Sequence, residues 1–493
     1  MEAASGKTLH TEPSASLPGA RFLREYNKGL AEPGQFGSLA QSAERSSKHT
    51  QEIIASIPYF QSWREQAHQI KRYALANLDK LLVEFERNIT ARGATVLYAQ
   101  NAQEANEHIL RIVREHGVRT VVKAKTMVSE EMEMNHVLEA VGVRALETDL
   151  GEFLVQLADQ RPIHVVTPAL HLSAADVGRL FQEKLGEPFT DDHAALTQIA
   201  RKHLRRQFVQ ADLGISGVNF AVADTGTICL VENEGNQGLS TSCPRIHVAL
   251  MGMEKVIPNI RHLPVFLNLL GRSGTGQKLT TYTHLIHGST PGRKLYVIIL
   301  DNGRTEVLRD PKAWSALFCI RCGACLNACP VYRRVGGWAY GWVYPGPIGA
   351  VLTPHLVGLE QAGKLPFASS LCGACAEVCP VKIDIPHQLV HLRHRAVEEP
   401  SPVRSWLERL VWRLWAWAMC HPWMYRLSMR MARLGTRLAR FLPWHPGPLG
   451  AWTRGRELPE PPTAPNFHAW WKKYAHQLKT FPPDLPPESP AAS

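Results

Sequence analysis

Seven of the ten cysteines lie between Cys319 and Cys379, in two runs that each end in Cys-Pro. The first is Cys319-x2-Cys322-x2-Cys325-x3-Cys329-Pro330 and the second Cys372-x2-Cys375-x3-Cys379-Pro380. Two residues between thiolates let a tight loop wrap three corners of a cubane. The fourth cysteine, before proline, points away to a neighbouring cluster. The two motifs are therefore expected to exchange that ligand. Cys319, Cys322, Cys325 and Cys379 would hold a first cluster, and Cys329, Cys372 and Cys375 a second. Structural zinc normally takes four ligands in paired Cys-x2-Cys halves, which fits this run poorly. A tight cysteine cluster also differs from a secreted disulfide framework, whose cysteines spread along the fold.

The second set is one thiolate short, because Ser369 stands where a complete repeat would carry cysteine. A four-iron cluster with a non-cysteine or solvent ligand, a three-iron cluster, or completion by Cys243 or Cys420 all satisfy the pattern. Two [4Fe-4S] clusters are the expectation, with [3Fe-4S] as the alternative at the second site. Forty-two residues (330–371) separate the motifs, too many for a compact bacterial ferredoxin. Helical patterning over Val351–Gln361 indicates an α-helical ferredoxin type.

Upstream, the periodicity predicts a different fold. Residues 1–50, rich in Ser, Gly, Ala and charge, read as a loosely ordered arm. An amphipathic helix is expected within Tyr59–Arg92. Strands are expected at Thr95–Tyr98, Thr120–Lys123, Val143–Glu147 and His164–Thr167. Helices opened by Asn101-x-x-Glu104, Ser129 and Ser173-x-x-Asp176 alternate with them. That alternation indicates a parallel α/β sheet. Gly217–Ala223 and Thr227–Val231 read as a hairpin around Asp224-Thr225-Gly226. Glu234–Gly238 reads as a flexible loop, and Leu295–Asp301 as a central strand. Asp301-Asn302-Gly303-Arg304 turns the chain out of this domain. The expected divisions are an arm (1–50), an α/β domain (51–303), a two-cluster ferredoxin-type domain (304–400) and a C-terminal region (401–493).

The chain at this point resembles the lactate utilization protein B family of iron–sulfur proteins in bacterial L-lactate oxidation, over roughly residues 55–480. The segments that carry the resemblance are Val121–Lys125, Glu147–Glu152, Ala223–Thr227, Leu300–Arg304 and Cys319–Tyr332. It implies a transferase-like lactate-utilization domain at the N-terminus and two four-iron clusters on the seven motif cysteines. It also implies two partner proteins, one with a cysteine-rich redox domain and one with a second copy of the N-terminal fold.

Iron–sulfur clusters pass single electrons, and the chain carries no flavin or nicotinamide motif. It therefore reads as an electron-relay subunit of a lactate-oxidising complex, without a complete active site of its own. The alternatives are a transferase acting on a carboxylate or thioester, with structural clusters, and a non-catalytic iron–sulfur scaffold or sensor. Lys123 and Lys125 could face a carboxylate, although a solvated strand end is the default for lysine. The Glu234–Gly238 loop with Ser240–Ser242 could bind an anion through its amides. His164, His171, His284 and His287 are acid–base candidates of ordinary surface or packing type.

The charge locates a last module. The net charge is +11, yet residues 401–493 hold 13 Lys+Arg against 5 Asp+Glu and nine of the 13 tryptophans. The nearly neutral body argues against nucleic-acid binding. Leu407, Leu410, Val411, Leu414 and Ala418 follow helical spacing. Met424, Leu427, Met431, Leu434, Leu438 and Phe441 form an apolar seam flanked by Arg426, Arg430, Arg433, Arg437 and Arg440. Such helices can pack on the ferredoxin domain or an acidic partner, or lie on an anionic membrane. After Pro443 an extended Pro-rich stretch is expected, with a short helix near Phe467–Leu478. No signal peptide and no run of about 18 apolar residues is present. A cytoplasmic protein is expected, with the tail packing on protein first and peripheral contact at the inner face of the membrane as the alternative.

Overall fold

Strands such as Leu295–Leu300 are apolar at every position, which suits a sheet covered on both faces. The computed structural model describes residues 33–399, 406–439, 450 and 467–478. It places six strands in one parallel sheet. In chain order the ten strands are β1 (Thr95–Ala99), β2 (Thr120–Lys123), β3 (Arg144–Glu147), β4 (Leu213–Gly217), β5 (Phe220–Val222), β6 (Thr227–Glu232), β7 (Ile246–Gly252), β8 (Val256–Ile257), β9 (Tyr282–Ile286) and β10 (Lys294–Leu300). The large sheet runs β1-β10-β7-β4-β2-β3, and a second sheet runs β8-β5-β6-β9. The strand read as central, β10, has a parallel neighbour on each side, β1 and β7. The hairpin forms as expected: β5 and β6 pair antiparallel around Asp224–Gly226.

Two helix starts follow their sequence signals. Asn101 Oδ1 accepts the Glu104 amide at 3.0 Å, and Ser173 with Asp176 closes a full capping box. Elsewhere the structure corrects the expectations. The Tyr59–Arg92 helix is two helices, Phe60–Ala76 and Leu78–Thr90, divided at Asn77. The helix expected from Ser129 divides into Met127–Glu131 and Met134–Ala140, because Glu133 adopts a left-handed φ of 51°. His164–Thr167 is an irregular bend and not a strand. Glu234–Gly238 is not a free loop but leads into the helix Asn236–Ser242, whose Asn236, Gln237 and Ser240 are buried. That helix lies close on β4: a Cβ at Gly214 would stand 1.8 Å from the Ser240 carbonyl oxygen.

The expected N-terminal arm is also different. Pro33–Ala55 is a 23-residue helix crossing the expected boundary at residue 50, with Leu39 and Ala43 fully buried; residues 1–32 lie outside the described residues. Its burial is a tertiary effect that its Ser-rich composition does not announce.

The boundary at residue 303 is a change of architecture and not a break in packing. One apolar core runs from Leu39 through Phe85, Phe220 and Val297 to Phe318, Tyr340, Leu352 and Leu392. A second covers the other face of the sheet around Ile109, Val121 and Ile298. Between the two cysteine motifs the helix Gly346–Val357 is followed by a short turn of helix, Leu359–Ala362, separated by Gly358. The expected Val351–Gln361 helix thus starts earlier and is interrupted.

The C-terminal unit begins at Arg404. Its helices Trp406–Cys420 and Pro422–Ala439 pack on each other, with Trp417 and Trp423 edge to face at 6.4 Å. Trp406, Leu410, Leu414, Met431, Leu434 and Leu438 are exposed. Phe467–Leu478 is helical as expected. Phe441, Arg440 and most of the Pro-rich stretch lie outside the described residues. No helix among the described residues is long and apolar enough to cross a membrane.

Candidate iron–sulfur centre and adjoining cavity

Both cysteine runs wrap in the same way. Arg321 and Leu371, each one residue before a cysteine, have left-handed φ of 63° and 55°; Gly323 and Gly373, each one residue after it, have 78° and 86°. In the first motif the Arg321 amide donates to Cys319 Sγ at 3.4 Å. In the second the Leu371 amide donates to Ser369 Oγ at 3.1 Å. The serine oxygen therefore stands where the equivalent sulfur stands. Cys329 and Cys379 likewise repeat each other. Each precedes proline, and each sulfur accepts a backbone amide at 3.4 Å, from Tyr332 and Ile383 respectively.

The buried thiols feel one another. Burial raises the pKa of Cys325, and Cys319, Cys322, Cys379 and, least, Cys375 raise it further. Burial pushes Cys379 up to about 11, and Cys319 adds to the rise. Burial pushes Cys375 up to about 12, with Cys329 its strongest thiol neighbour and Cys372 next. Cys329 in turn is raised by burial and by Cys372. Most of these neighbours accord with the exchange expected from the spacing, and Cys375 acting on Cys325 crosses it. Burial keeps these thiols neutral in the metal-free chain, and binding to iron as thiolates would release their protons. Among the described residues no three Cys, His, Asp or Glu side chains converge on one point for a single metal ion, whereas a cubane takes one thiolate at each separate iron. The donor set fits iron–sulfur clusters.

Cys322, Cys325, Cys329, Cys375 and Cys379 are buried, Cys319 is half-buried and Cys372 is exposed. The second motif is fastened by the helix Phe60–Ala76. Arg64 donates to the carbonyls of Cys379 (2.8 and 3.0 Å) and Glu377 (2.8 Å), and His68 Nδ1 lies 3.0 Å from the Val381 carbonyl.

A buried charge network ties the first motif to the sheet. Arg304, from the segment read only as an exit turn, donates to Glu131 at 2.7 and 3.0 Å and to Glu254 at 2.6 Å. Arg321 reaches the other Glu254 oxygen at 3.3 Å and lies 4.3 Å over the Tyr344 ring, whose hydroxyl donates to Glu131. Burial alone would raise the Glu254 carboxyl, but Arg304 and Arg321 outweigh it and hold the pKa at about 2. No spacing rule joins positions 131, 254, 304, 321 and 344. The only sequence signal was Arg304's place in a resemblance-carrying segment.

Between this network and the carboxyl ends of β2, β4 and β7 lies a cavity of about 430 Å³. Crevices outside the carboxyl ends of parallel strands are the usual ligand position in open α/β sheets. Lys125, Asn219, Lys255, Glu232, Gln237, Arg321 and Cys322 are among its walls.

The other candidates separate here. Lys125 lines the cavity and donates to the Val166 carbonyl at 2.8 Å. Lys123 does not line it: its ammonium is buried between Glu147 (2.6 Å), Glu130 (2.7 Å) and Ser129 (2.9 Å). His164 is buried, which lowers its pKa to about 3. Its Nδ1 accepts the Val166 and Thr167 amides, so it is a neutral loop-holder. His171 is lowered by burial to about 4 and meets Gln160 at 2.8 Å. His284 pairs with Glu232 at 2.6 Å, and His287 with Thr227 at 2.7 Å. The amides of Gln237 and Gly238, candidates for an anion, donate to the Glu232 carboxylate at 2.8 Å each, which accords with the loop as a plain connection.

Glu152, beside the Lys123 cage, gives a pH prediction. Burial raises its pKa to about 8, Glu147 and Glu130 adding to the rise while Lys125 opposes it. An acid whose folded pKa is raised stays neutral in the fold while the unfolded chain ionises. Its effect is therefore a loss of stability as pH rises from about 4.5 through about 8. Glu152→Gln should leave the melting temperature near that of the parent at pH 4.5 and raise it relative to the parent above pH 8. Equal shifts at both pH values in thermal scans would refute this.

The chain matches the LUD domain family over residues 82–305, a 4Fe-4S dicluster domain over 315–383 and the C-terminal domain of lactate utilisation protein B over 390–475. It is 39% identical over 475 residues to lactate utilization protein B of Bacillus cytotoxicus, covering 94% of this chain and 98% of that one. It is 40% identical over 470 residues to the protein of the same name from Geobacillus kaustophilus (92% and 96% covered). An uncharacterized electron transport protein of Escherichia coli is 37% identical over 470 residues (93% and 98% covered).

Proposed function

The chain belongs to the lactate utilization protein B family, and from that premise we propose that it is the electron-relay subunit of a complex oxidising L-lactate to pyruvate. The observation that carries this reading is the like wrapping of the two cysteine motifs within one packed unit, the first beside a cavity and the second reaching the surface at Cys372. When bound, iron–sulfur clusters supply one-electron transfer. Cys319, Cys322, Cys325 and Cys379 would hold the first, and Cys329, Cys372 and Cys375 the second, both as [4Fe-4S]. The repeated hydrogen bond makes Ser369 Oγ the fourth ligand in this reading, in preference to Cys243, Cys420 or a three-iron site. The Arg64 clamp and the Arg304 network keep the two motifs in register with the sheet. The partners in this reading are a cysteine-rich redox subunit and a second subunit of the lactate-utilization fold. The chain acts in the cytoplasm, and its exposed Trp- and Arg-rich tail docks on a partner or on the inner face of the membrane.

Iron and sulfide analysis with EPR on anaerobically purified protein should give close to eight irons per chain by the two-cluster pattern. Stoichiometric zinc without sulfide would end this reading. Seven irons, or a three-iron signal unaffected by Ser369→Ala, would remove Ser369 as ligand. Adding L-lactate to the three reconstituted proteins should bleach the clusters, and no bleaching would leave a scaffold or sensor.

A further inference from the structure

We infer that the cavity at the carboxyl ends of β2, β4 and β7 binds a small organic carboxylate of the 2-hydroxy or 2-oxo acid class, held by Lys255 and Arg321 beside Cys322. The inference rests on the electron-relay reading above and assigns to this chain the substrate-binding step.

The cavity is built and not incidental. Its volume of about 430 Å³ lies within the range of small-molecule sites. Its walls come from three strand ends, the helix after β6 and the first cysteine motif, all part of one packed unit.

Its polar groups are left open toward a ligand. The Arg321 side chain is 11% exposed. One end of its guanidinium meets Glu254, its face lies on Tyr344, and Nη1 is buried with no partner. Gln237, only 9% exposed, donates its amide nitrogen to the Val231 carbonyl, while Oε1 has no partner. The Lys255 ammonium makes no hydrogen bond or ion pair with the described residues. Both oxygens of the adjacent Glu254 are already engaged by Arg304 and Arg321. Buried donors and acceptors are almost always satisfied, so several open ones around one cavity call for a polar occupant.

The sign of that occupant follows from the walls. Lys125, Lys255 and Arg321 line the cavity against Asp149, Glu232 and Glu234, but the acids are engaged. Asp149 accepts the Glu152 amide, Glu232 holds His284 and the Gln237 and Gly238 amides, and Glu234 accepts the Leu150 amide. That leaves the Lys255 ammonium and Arg321 Nη1 as the open donors. A 2-hydroxy acid has the matching polarity, with a carboxylate for the cations and a hydroxyl proton for an acceptor. Binding there would place the acid beside the first cysteine motif. The other role open to these cations is to balance the negative charge of the thiolates alone, and the test separates the two.

Full-length protein, loaded with clusters and kept anaerobic, is titrated by calorimetry with L-lactate, pyruvate and the uncharged L-lactamide, and EPR spectra are recorded with each. The carboxylates should bind and alter the spectrum of the first cluster. The amide should bind at least about ten-fold more weakly, the worth of one charge-assisted hydrogen bond. Lys255→Gln should weaken carboxylate binding by a similar factor at unchanged iron content, and Lys255→Arg should recover most of it. The lactate–lactamide comparison needs no variant, so it holds even if Lys255→Gln fails to load iron. Absence of carboxylate binding overturns the inference. So does a Lys255→Gln protein whose reduction potential shifts while its carboxylate affinity does not. If the three-protein mixture bleaches with lactate while this chain alone binds no carboxylate, the inference falls and the relay reading stands. If carboxylates bind but the mixture never bleaches, the site stands and the relay reading falls.

Discussion

Cys379→Ala should erase the cluster built on Cys319, Cys322 and Cys325 and spare the one built on Cys372 and Cys375, although Cys379 lies four residues from Cys375. In two-cluster ferredoxins the fourth cysteine of each motif serves the other motif's cluster, and the proposed assignment carries that exchange to this chain. The Cys379 thiol feels Cys319, while Cys375 feels Cys329. Iron content should drop by about half, the share of one of two cubanes. The EPR spectrum that remains should be the one lost in Cys372→Ala. Cys329→Ala and Cys372→Ala should in turn resemble each other. If Cys379→Ala and Cys372→Ala abolish the same signal, each motif holds its own cluster and the exchanged assignment is wrong.

Arg304→Met should destabilise the protein by about 3–5 kcal/mol, the cost of removing one partner from a buried ion pair. Arg304 is 1% exposed, and its two carboxylates, Glu131 and Glu254, are 0% and 1% exposed in their side chains. Without the guanidinium Glu254 would keep only Arg321, and Glu131 only the neutral donors Asn302 and Tyr344. Lysine would not substitute, because one ammonium cannot donate in the planar fork that spans both carboxylates. Denaturant unfolding of the cluster-loaded protein measures the loss, and a change under about 1 kcal/mol would mean that the network is dispensable. The same network sets an acid limit. Since the folded Glu254 pKa lies at about 2, below its ordinary value, its contribution is present above about pH 4.5 and fades as pH falls toward 2. In Arg304→Met that part of the acid dependence should be lost.

The sequence was most legible where chemistry dictates spacing. The cysteine runs, the Asn101 and Ser173 caps and the β5–β6 hairpin each depend on a few neighbouring residues, and each appears as expected. Features decided by remote contacts were not legible. The helix Pro33–Ala55 has an unremarkable composition and is fixed by the burial of Leu39 and Ala43. The left-handed Glu133 divides a segment whose periodicity suggests one helix. Lys123 and Lys125 are indistinguishable as neighbours on a strand end, yet one is caged by Glu130 and Glu147 and the other lines the cavity. Arg304, Glu131 and Glu254 come from three distant segments, so only the fold shows that they form one site.

The apolar core shared by the sheet and the cysteine motifs makes metallation a matter of folding as much as of redox chemistry. Phe318, Leu326, Tyr340 and Leu352 lie in the same packed body as Phe220 and Val297, so clusters that bind only the native motifs stabilise the α/β sheet by mass action. Iron starvation or oxygen damage at the cysteines would then register far away, as faster proteolysis of a domain that carries no iron. A fragment ending near residue 303 would expose that core and be a poor substitute for the whole chain.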